Sequence, residues 1–275
     1  MNTYLTPPAI AEEMVKLGVK KAGHSFGNLL ILSIMAGGFI GFAANFATIV
    51  ATGWQVQGEP AFYGLSKFLL GASFSVGLML VLLLGAELFT GNCLMPAALF
   101  RGQISLSVML KNWAIVWLGN LIGSLVLAWM IAGLSGLLEG SAGYTAVKIA
   151  ASKASLTGVQ IFIRGILANW IVCLAILMMM AATDVTGKIW AAFFPITGFA
   201  ASSFEHSIAN MYFIPAGILS RSSHPAADPE GALTIFNFLR NLLFSTAGNI
   251  VGGAVLVASV FYFVHLRNSS TEGIA

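Results

Sequence analysis

The chain has 275 residues, of which 58% are hydrophobic and only 8% carry a charge. A soluble domain carries about 25% charged residues, so the composition excludes a soluble globular protein and indicates one that crosses a membrane several times. The net charge of +3 is small and scattered, which argues against a nucleic-acid partner, because such a partner requires a clustered basic patch. The two cysteines lie in separate apolar runs, so we expect no disulfide framework, metal site or cofactor.

The first 27 residues differ from the rest in carrying many charges. Ile10, Met14 and Leu17 recur there at helical spacing among glutamates and lysines, which predicts a short amphipathic helix over residues 1–27. This segment either gates the cytoplasmic mouth of a pore or binds the membrane surface, and its sequence leaves both open.

Six apolar segments follow, each long enough to cross a bilayer, which requires about 20 residues. They cover residues 28–53, 65–99, 112–136, 158–182, 188–219 and 237–266, and the stretches between them (54–64, 100–111, 137–157, 183–187 and 220–236) are predicted loops. The second and fifth segments are too long for one straight helix and contain polar residues. We therefore expect an all-α protein with six transmembrane helices, of which helices 2 and 5 are broken.

The six-helix domain is predicted over residues 28–266, with a polar tail at 267–275. Lys and Arg are more numerous on the side that would hold both termini, which favours a cytoplasmic position for them. We expect a multi-pass membrane protein, surrounded by the lipid bilayer, and the family resemblance described below implies that this membrane is the cytoplasmic (inner) one.

An internal repeat relates the two halves of this domain. The pattern GxxAN begins at Gly41 and Gly165, ExxxxN at Glu87 and Glu205, and GNxxG at Gly119 and Gly248. Because three helices per half is an odd number, the second half must be inverted in the membrane. Broken helices at matching places in inverted repeats put a solute path along the interface of the repeats.

The most informative stretch is FAASSFEHSIANMYFIP, which places Glu205 and His206 side by side between two apolar runs. An ionisable group at bilayer depth costs about 2.5–3.5 kcal/mol on insertion scales, so it faces a cavity or a partner. Two adjacent polar residues also predict a helix break, which is tolerated where protein or a water-lined cavity satisfies the freed backbone groups. We expect a solute site at this break.

The breaks carry one carboxylate each, Glu87 and Glu205, with Asn92 and Asn210 at the ends of the same motifs. Half-helix N-termini at a break carry unpaired N–H donors and the positive end of the helix dipole, which suits an anion. We interpret both carboxylates first as structural, accepting hydrogen bonds from the freed backbone donors. Direct contact with the solute is the alternative.

His206 has no counterpart in the first break, where Leu88 stands. An ordinary histidine pKa of about 6.5 makes the side chain a natural proton handle. The alternative is a neutral core histidine satisfied by a carbonyl group or by Thr90.

The pieces GAELFTGN, LANWIVCLA, SFEHSIANM and GNIVGG resemble the signature regions of the formate/nitrite transporter family, and the resemblance extends over about residues 10–267. It implies an aquaporin-like six-helix protomer, assembled as a homopentamer with one pore per protomer. It also implies transport of small monovalent anions such as formate, nitrite or hydrosulfide across the cytoplasmic membrane.

The same resemblance implies roles for individual residues. His206 becomes the central histidine, Thr90 the threonine facing it and Lys153 the vestibule lysine, with Asn169 and Asn249 near the pore. Two hydrophobic constrictions would be lined by Phe74, Leu78 and Phe199, and by Leu88, Phe89 and Val172. From the residues alone, Phe74, Leu78, Phe199 and Val172 are interpreted as ordinary helix packing. Lys148 competes with Lys153 for the vestibule role.

The free-energy costs of the two possible routes favour permeation of a neutral species. Moving a bare anion through a dry constriction costs tens of kcal/mol, whereas protonating a carboxylate of pKa about 4 at pH 7 costs about 4 kcal/mol. We therefore expect the anion to be protonated transiently near His206, with a proton as the second substrate.

The nearest rival is a neutral-solute channel of the water and glycerol type, but its paired NPA boxes are absent. The absence of GxSxG and HExxH motifs argues against an intramembrane enzyme.

Overall fold

A computed structural model describes residues 4–53, 55–56, 59–60 and 62–267, so nearly all of the predicted tail lies outside the described residues. The helices are α1 (Pro7–Ala22), α2 (Phe26–Val50), α3 (Tyr63–Phe74), α4 (Val76–Leu83), α5 (Phe89–Asn92), α6 (Pro96–Phe100), α7 (Leu106–Ala128), α8 (Ser141–Ala154), α9 (Gly158–Ala181), α10 (Val185–Ala201), α11 (Ser207–Ser220), α12 (Ile235–Ile250) and α13 (Val260–His265). A π-helical segment, Trp129–Leu134, prolongs α7, and another, Val251–Ser259, joins α12 to α13.

Two very short strands, β1 (Gln55–Val56) and β2 (Glu59–Pro60), pair antiparallel between α2 and α3. Their register sets Gln55 opposite Pro60 and Val56 opposite Glu59. The predicted irregular loop at 220–236 contains two 3₁₀ turns, Arg221–Ser223 and Pro225–Ala227.

Within the described part of the chain, five helical stretches are long and apolar enough to cross a membrane. They are Phe26–Val50, Tyr63–Leu83, Leu106–Leu134, Gly158–Ala181 and Ile235–His265. The remaining crossing is divided between α10, with 17 residues, and α11, with 14 residues, and each is shorter than the roughly 20 residues that a crossing requires. A shorter apolar stretch, Phe89–Phe100, follows the second of these five stretches after its break. The predicted all-α fold with breaks in helices 2 and 5 is confirmed.

The two breaks have the same backbone course. Gly85 in the first and Ser203 in the second lie at matching positions, and both have positive φ angles, +74° and +55°. Glycine adopts this conformation without a side-chain clash, whereas for a serine it is strained. Lys67 donates a hydrogen bond of 2.9 Å to the Ser203 hydroxyl, which helps to hold the strained turn. Leu88 and His206 then continue in extended conformations as the N-caps of α5 and α11.

The GNxxG motifs bring pairs of helices into close contact in both halves. A methyl group on Gly123 would overlap the Ile34 carbonyl of α2, and one on Gly252 would overlap the Ile166 carbonyl of α9. Only glycine therefore allows α7 to lie on α2, and the segment after α12 to lie on α9, at this separation. The repeated motif thus has a repeated structural cause.

The predicted loop at 137–157 is wrong, because most of it is the helix α8. Its buried face is made of small residues, among them Ala146, Val147, Ala150 and Ala154, and it packs against α11. Small residues and two lysines keep the hydropathy of α8 below that of a membrane-crossing segment, so long apolar runs in the sequence do not reveal this helix. Lys153 lies in its last turn. Likewise α7 begins inside the predicted loop at 100–111, where the Ser105 hydroxyl caps it by accepting from the Val108 amide.

Candidate functional site

His206 and Thr90 meet at the centre of the molecule, one from each break. The distance between His206 Nε2 and Thr90 Oγ1 is 2.9 Å, and both side chains are buried. The backbone amide of Ala209 donates to Nδ1 of His206 at 3.2 Å, which caps α11. Since Nδ1 accepts, it carries no proton, and Nε2–H donates to the Thr90 hydroxyl. The Thr90 hydroxyl hydrogen is then available to a solute.

Glu205, the neighbour of His206, is buried and fully engaged. Its Oε1 accepts from Lys153 Nζ at 2.9 Å, and its Oε2 accepts from Asn210 Nδ2 at 2.7 Å and Asn241 Nδ2 at 3.1 Å. Asn241 also donates to the backbone carbonyl of Lys153 at 3.2 Å. This network ties α8, α11 and α12 to the break.

The first break contains the same network. Lys21 Nζ lies 2.9 Å from Glu87 Oε1, and Asn92 Nδ2 donates to Glu87 Oε2 at 2.8 Å and to Asn112 Oδ1 at 2.8 Å. Asn112 donates in turn to the backbone carbonyl of Lys21 at 3.0 Å. The imidazole of His24 approaches Glu87 Oε1 to 3.6 Å. Among the described residues, Glu205 in the second break has no such histidine contact.

The predicted partners of the two carboxylates are wrong. The freed backbone donors are satisfied by asparagines instead, since Asn120 Oδ1 accepts from the Phe89 amide at 2.9 Å and Asn249 Oδ1 accepts from the Ser207 amide at 2.8 Å. Each asparagine also donates from Nδ2 to a backbone carbonyl of the same break. Asn120 donates to the carbonyl of Glu87, and Asn249 donates to that of Glu205. A neutral amide can both accept and donate, so it satisfies the N–H and C=O groups of a break together, as a carboxylate cannot.

Asn169 holds the backbone beside the central pair. Its Nδ2 donates to the Thr90 carbonyl at 3.2 Å and to the Asn249 carbonyl at 2.7 Å. The thiol of Cys173, one turn along α9, also reaches the Thr90 carbonyl. Asn169 and Asn249 therefore fix the backbone that presents Thr90 and His206.

Aromatic rings close the centre on one side. The ring centroids of Phe74 and Phe199 are 5.7 Å apart, and that of Phe199 is 5.8 Å from the His206 ring. Phe213 stacks on Phe74 at 6.2 Å and is a member of this closure that the sequence did not single out. These three phenylalanines form the floor of a cavity of about 520 Å³.

This cavity is the vestibule, and its walls are strongly cationic. The described charged residues that line it are Lys67, Lys148, Lys153, Arg164 and Glu205. Lys153 is paired with Glu205 and also lies 5.6 Å from the centroid of the Phe213 ring. Lys148 lines the vestibule as well, but it is exposed, whereas Lys153 is at the base next to the break.

The opposite side of the centre is nearly solid. Leu78 and Leu88, together with Leu17 and Lys21 of α1, border a void of only about 10 Å³, which is at the limit for a single water molecule. Leu78 therefore lies with Leu88 on this side, although it was expected beside Phe74 and Phe199. Phe89 packs edge-on against Trp113 at 6.0 Å, and Phe89 and Val172 are buried without bordering either cavity.

Four residues of the two networks were missed by the sequence reasoning: Lys21, Asn112, Asn120 and Asn241. Asn112 and Asn241 precede the two GNxxG motifs by the same distance, so a longer repeat would have found them. Asn120 is part of the first GNxxG motif itself. Lys21 has no such signal, because Lys21 and Lys153 lie at different distances from the repeated motifs of their own halves.

The sequence profile of the formate/nitrite transporter family matches residues 8–263. The chain is 38% identical to a probable formate transporter of Methanothermobacter thermautotrophicus, over 97% of this chain and 99% of that one. It is 36% identical to the formate channel FocA of Escherichia coli strain K12, over 96% of each chain.

Solved structures give the same result. An FNT family ion channel superposes with a TM-score of 0.82 at 27% identity, covering 93% of this chain and 98% of its own. A pentameric formate channel with formate bound superposes with a TM-score of 0.75 at 34% identity, covering 88% of this chain and 98% of its own.

Broken membrane helices, a sealed polar centre and a cationic vestibule define a membrane transport protein for small anions. The matches in sequence and structure make the assignment more specific: the chain belongs to the formate/nitrite transporter family, as its motifs predict. Its relatives are transporters and channels, which confirms the prediction that the chain is not an enzyme.

Proposed function

We propose that this protein carries a small monovalent anion of the formate and nitrite class, with hydrosulfide as a further candidate, across the cytoplasmic membrane together with a proton. The observation that carries the proposal is the His206–Thr90 pair at 2.9 Å. It is a buried pair of hydrogen-bonding groups between apolar closures, with the cationic vestibule on one side only. The names of the relatives, which include formate channels, support the substrate class.

The first step is attraction of the anion into the vestibule. The described residues of its walls include four cationic side chains and one carboxylate, so the field there favours anions. At the floor, the anion meets Lys153 beside the rings of Phe74, Phe199 and Phe213. Because the low-dielectric rings disfavour its charge, the anion takes up a proton there and moves on as a neutral acid.

The hydrogen bonds of His206 favour solution in the vestibule as the source of that proton. With Nδ1 accepting from Ala209, the ring is neutral and its one proton is on Nε2. Giving up this proton would leave an imidazolate, and taking a second proton on Nδ1 would break the cap of α11. His206 and Thr90 therefore act as an oriented donor pair that binds the acid as it passes between the two closures.

The side opposite the vestibule is closed by α1. Leu17 and Lys21 of this helix border the small void beside Leu88, and Lys21 is buried against Glu87, which leaves it no charge for a lipid surface. These contacts support a gate over a membrane-surface anchor for residues 1–27. We also propose cytoplasmic termini, and a homopentamer by analogy with the solved pentameric formate channel.

Proteoliposomes that contain the purified protein test this function directly. Uptake of formate, nitrite and hydrosulfide is followed while internal pH is recorded. We expect one of these anions to enter electroneutrally with a proton, and His206→Phe to abolish uptake. Current that flows with the anion at constant internal pH would contradict the neutral-acid mechanism, and permeability to glycerol without anion uptake would contradict the anion class.

A further inference from the structure

The vestibule holds more positive charge than one monovalent anion requires. Among the described charged residues that line it, Lys153 is paired with the one carboxylate, Glu205, at 2.9 Å. Lys67, Lys148 and Arg164 have no carboxylate partner among the described residues. Within the part of the chain that the structure describes, Lys67 donates a hydrogen bond to the neutral hydroxyl of Ser203 and to no other group. Three cations from three different helices, none of them paired with a described carboxylate, therefore face one cavity.

The vestibule is also much larger than a formate ion. Its volume is about 520 Å³, whereas formate is little larger than a water molecule, whose share of liquid volume is about 30 Å³. Its walls include the aromatic rings of Tyr63, Tyr144 and Phe213. Apolar walls with a few charged groups are typical of a site for an organic ligand. The cavity therefore fits an anion with a carbon skeleton and more than one charge.

We propose that the vestibule binds a short dicarboxylate dianion, which it holds but does not pass. The inference rests on the proposed function, since it treats the vestibule as the entrance of the transport path. A dicarboxylate must gain two protons before it is neutral, and it must then pass the Phe74 and Phe199 rings, whose centroids are 5.7 Å apart. A bound dianion occupies the place of the monovalent substrate and inhibits its uptake competitively.

The test measures formate uptake into proteoliposomes with malonate on both sides of the membrane at constant ionic strength. Binding of malonate to the purified protein in detergent is measured separately by calorimetry. Monomethyl malonate, which has nearly the same size and one charge, is the matched ligand control. We expect malonate to bind and to inhibit competitively, and the half-ester to do so at least several times more weakly. Equal effects of the two ligands, or equal binding of sulfate, would overturn the proposal.

Lys148→Gln is the informative variant, because Lys148 is exposed and forms no ion pair with a described residue, so the fold tolerates its loss. We expect the inhibition constant of malonate to rise about two- to fivefold for each charge removed, first in Lys148→Gln and then in the double variant with Lys67→Gln. Lys111→Gln removes an exposed lysine that does not line the vestibule and leaves the constant unchanged. An unchanged constant in the double variant would overturn the proposal.

The two hypotheses fail in different ways in this experiment. Absence of formate uptake in vesicles with the wild-type protein contradicts the proposed function. Formate uptake that is insensitive to malonate, with no malonate binding in calorimetry, contradicts only the dicarboxylate site.

Discussion

Lys21 and Lys153 perform the same structural task in the two halves of the chain, although they lie on unrelated segments. The Nζ atom of each is 2.9 Å from Oε1 of a buried glutamate, Glu87 or Glu205. The backbone carbonyl of each also accepts from an asparagine of a later helix. Each break is therefore held by a lysine, a glutamate and asparagines from separate parts of the chain.

The first prediction concerns the pair formed by Lys153 and Glu205. Lys153→Met leaves the Glu205 carboxylate buried without its counter-ion, and we expect a loss of about 3–5 kcal/mol in stability. The double variant with Glu205→Gln removes both charges and regains most of that loss. Thermal unfolding in detergent measures both effects.

Transport by the same variants separates structure from attraction of the anion. If the double variant is stable but takes up formate slowly, the charge of Lys153 is needed for transport in addition to its structural role. Lys148→Met is the control for stability, because it removes a vestibule lysine that forms no ion pair with a described residue. A single variant as stable as the wild type would show that the buried pair does not hold the break.

The second prediction concerns the asparagines that bridge the breaks. Asn249→Ala leaves the Ser207 amide and the Glu205 carbonyl without this partner and removes a second hydrogen bond from the helical Gly165 carbonyl. Each buried unpaired group costs about 1–3 kcal/mol, so we expect a clear drop in unfolding temperature. Asn120→Ala removes the equivalent bonds in the first break and should have a similar effect. Asn237→Ala, near the start of α12, is the matched control because its side chain is only half-buried and bridges no break.

The breaks could be predicted from the sequence because polar residues interrupt long apolar runs there, and no straight helix places a glutamate and a histidine in hydrocarbon without a partner. The helix α8 could not be predicted from the sequence, because its small residues are too weakly apolar to resemble a membrane segment. The lysine partner of Glu87 could not be predicted either. Lys21 lies 66 residues before Glu87. Nothing in the local sequence around Lys21 shows that the last turn of α1 is buried against the first break.

The aromatic closure shows a related limit. Phe74 and Phe199 were expected in a constriction only through the family resemblance, and Phe213 was not expected at all. A phenylalanine in an apolar helix has the same pattern whether it faces lipid, a neighbouring helix or a pore. The stack of Phe213 on Phe74 depends on the approach of α11 to α3, which only the tertiary structure defines.

The third prediction tests the hydroxyl group of Thr90. Thr90→Val has nearly the same shape but cannot accept from His206 Nε2 or donate to a solute. We expect formate uptake to fall at least about tenfold, as loss of one buried hydrogen bond of about 1.4 kcal/mol implies. Thr90→Ser keeps the hydroxyl and should retain most uptake. Initial rates in proteoliposomes at equal protein content decide the matter, and equal rates for the valine and serine variants would exclude a role for the hydroxyl.

The fourth prediction concerns the closure by α1. A methyl group on Gly18 would come within 2.8 Å of the Cβ of Ala98 in α6, so Gly18→Leu should push α1 away from α6 without removing any of the chain. If α1 closes the void beside Leu88, formate uptake should become faster, and the amides of α1 should exchange hydrogen more rapidly. Gly23→Ala is the matched control, because a methyl group there meets no atom closer than 3.5 Å.

Uptake and exchange must change together for this interpretation to hold. Helix α1 also contributes Ala11, Met14 and Val15 to the core, so Gly18→Leu lowers the unfolding temperature even if α1 is only a packing element. A variant with faster exchange in α1, a lower unfolding temperature and unchanged uptake would show that α1 stabilises the fold without limiting transport. Faster uptake in Gly18→Leu but not in Gly23→Ala requires that α1 itself restricts the path beside Leu88.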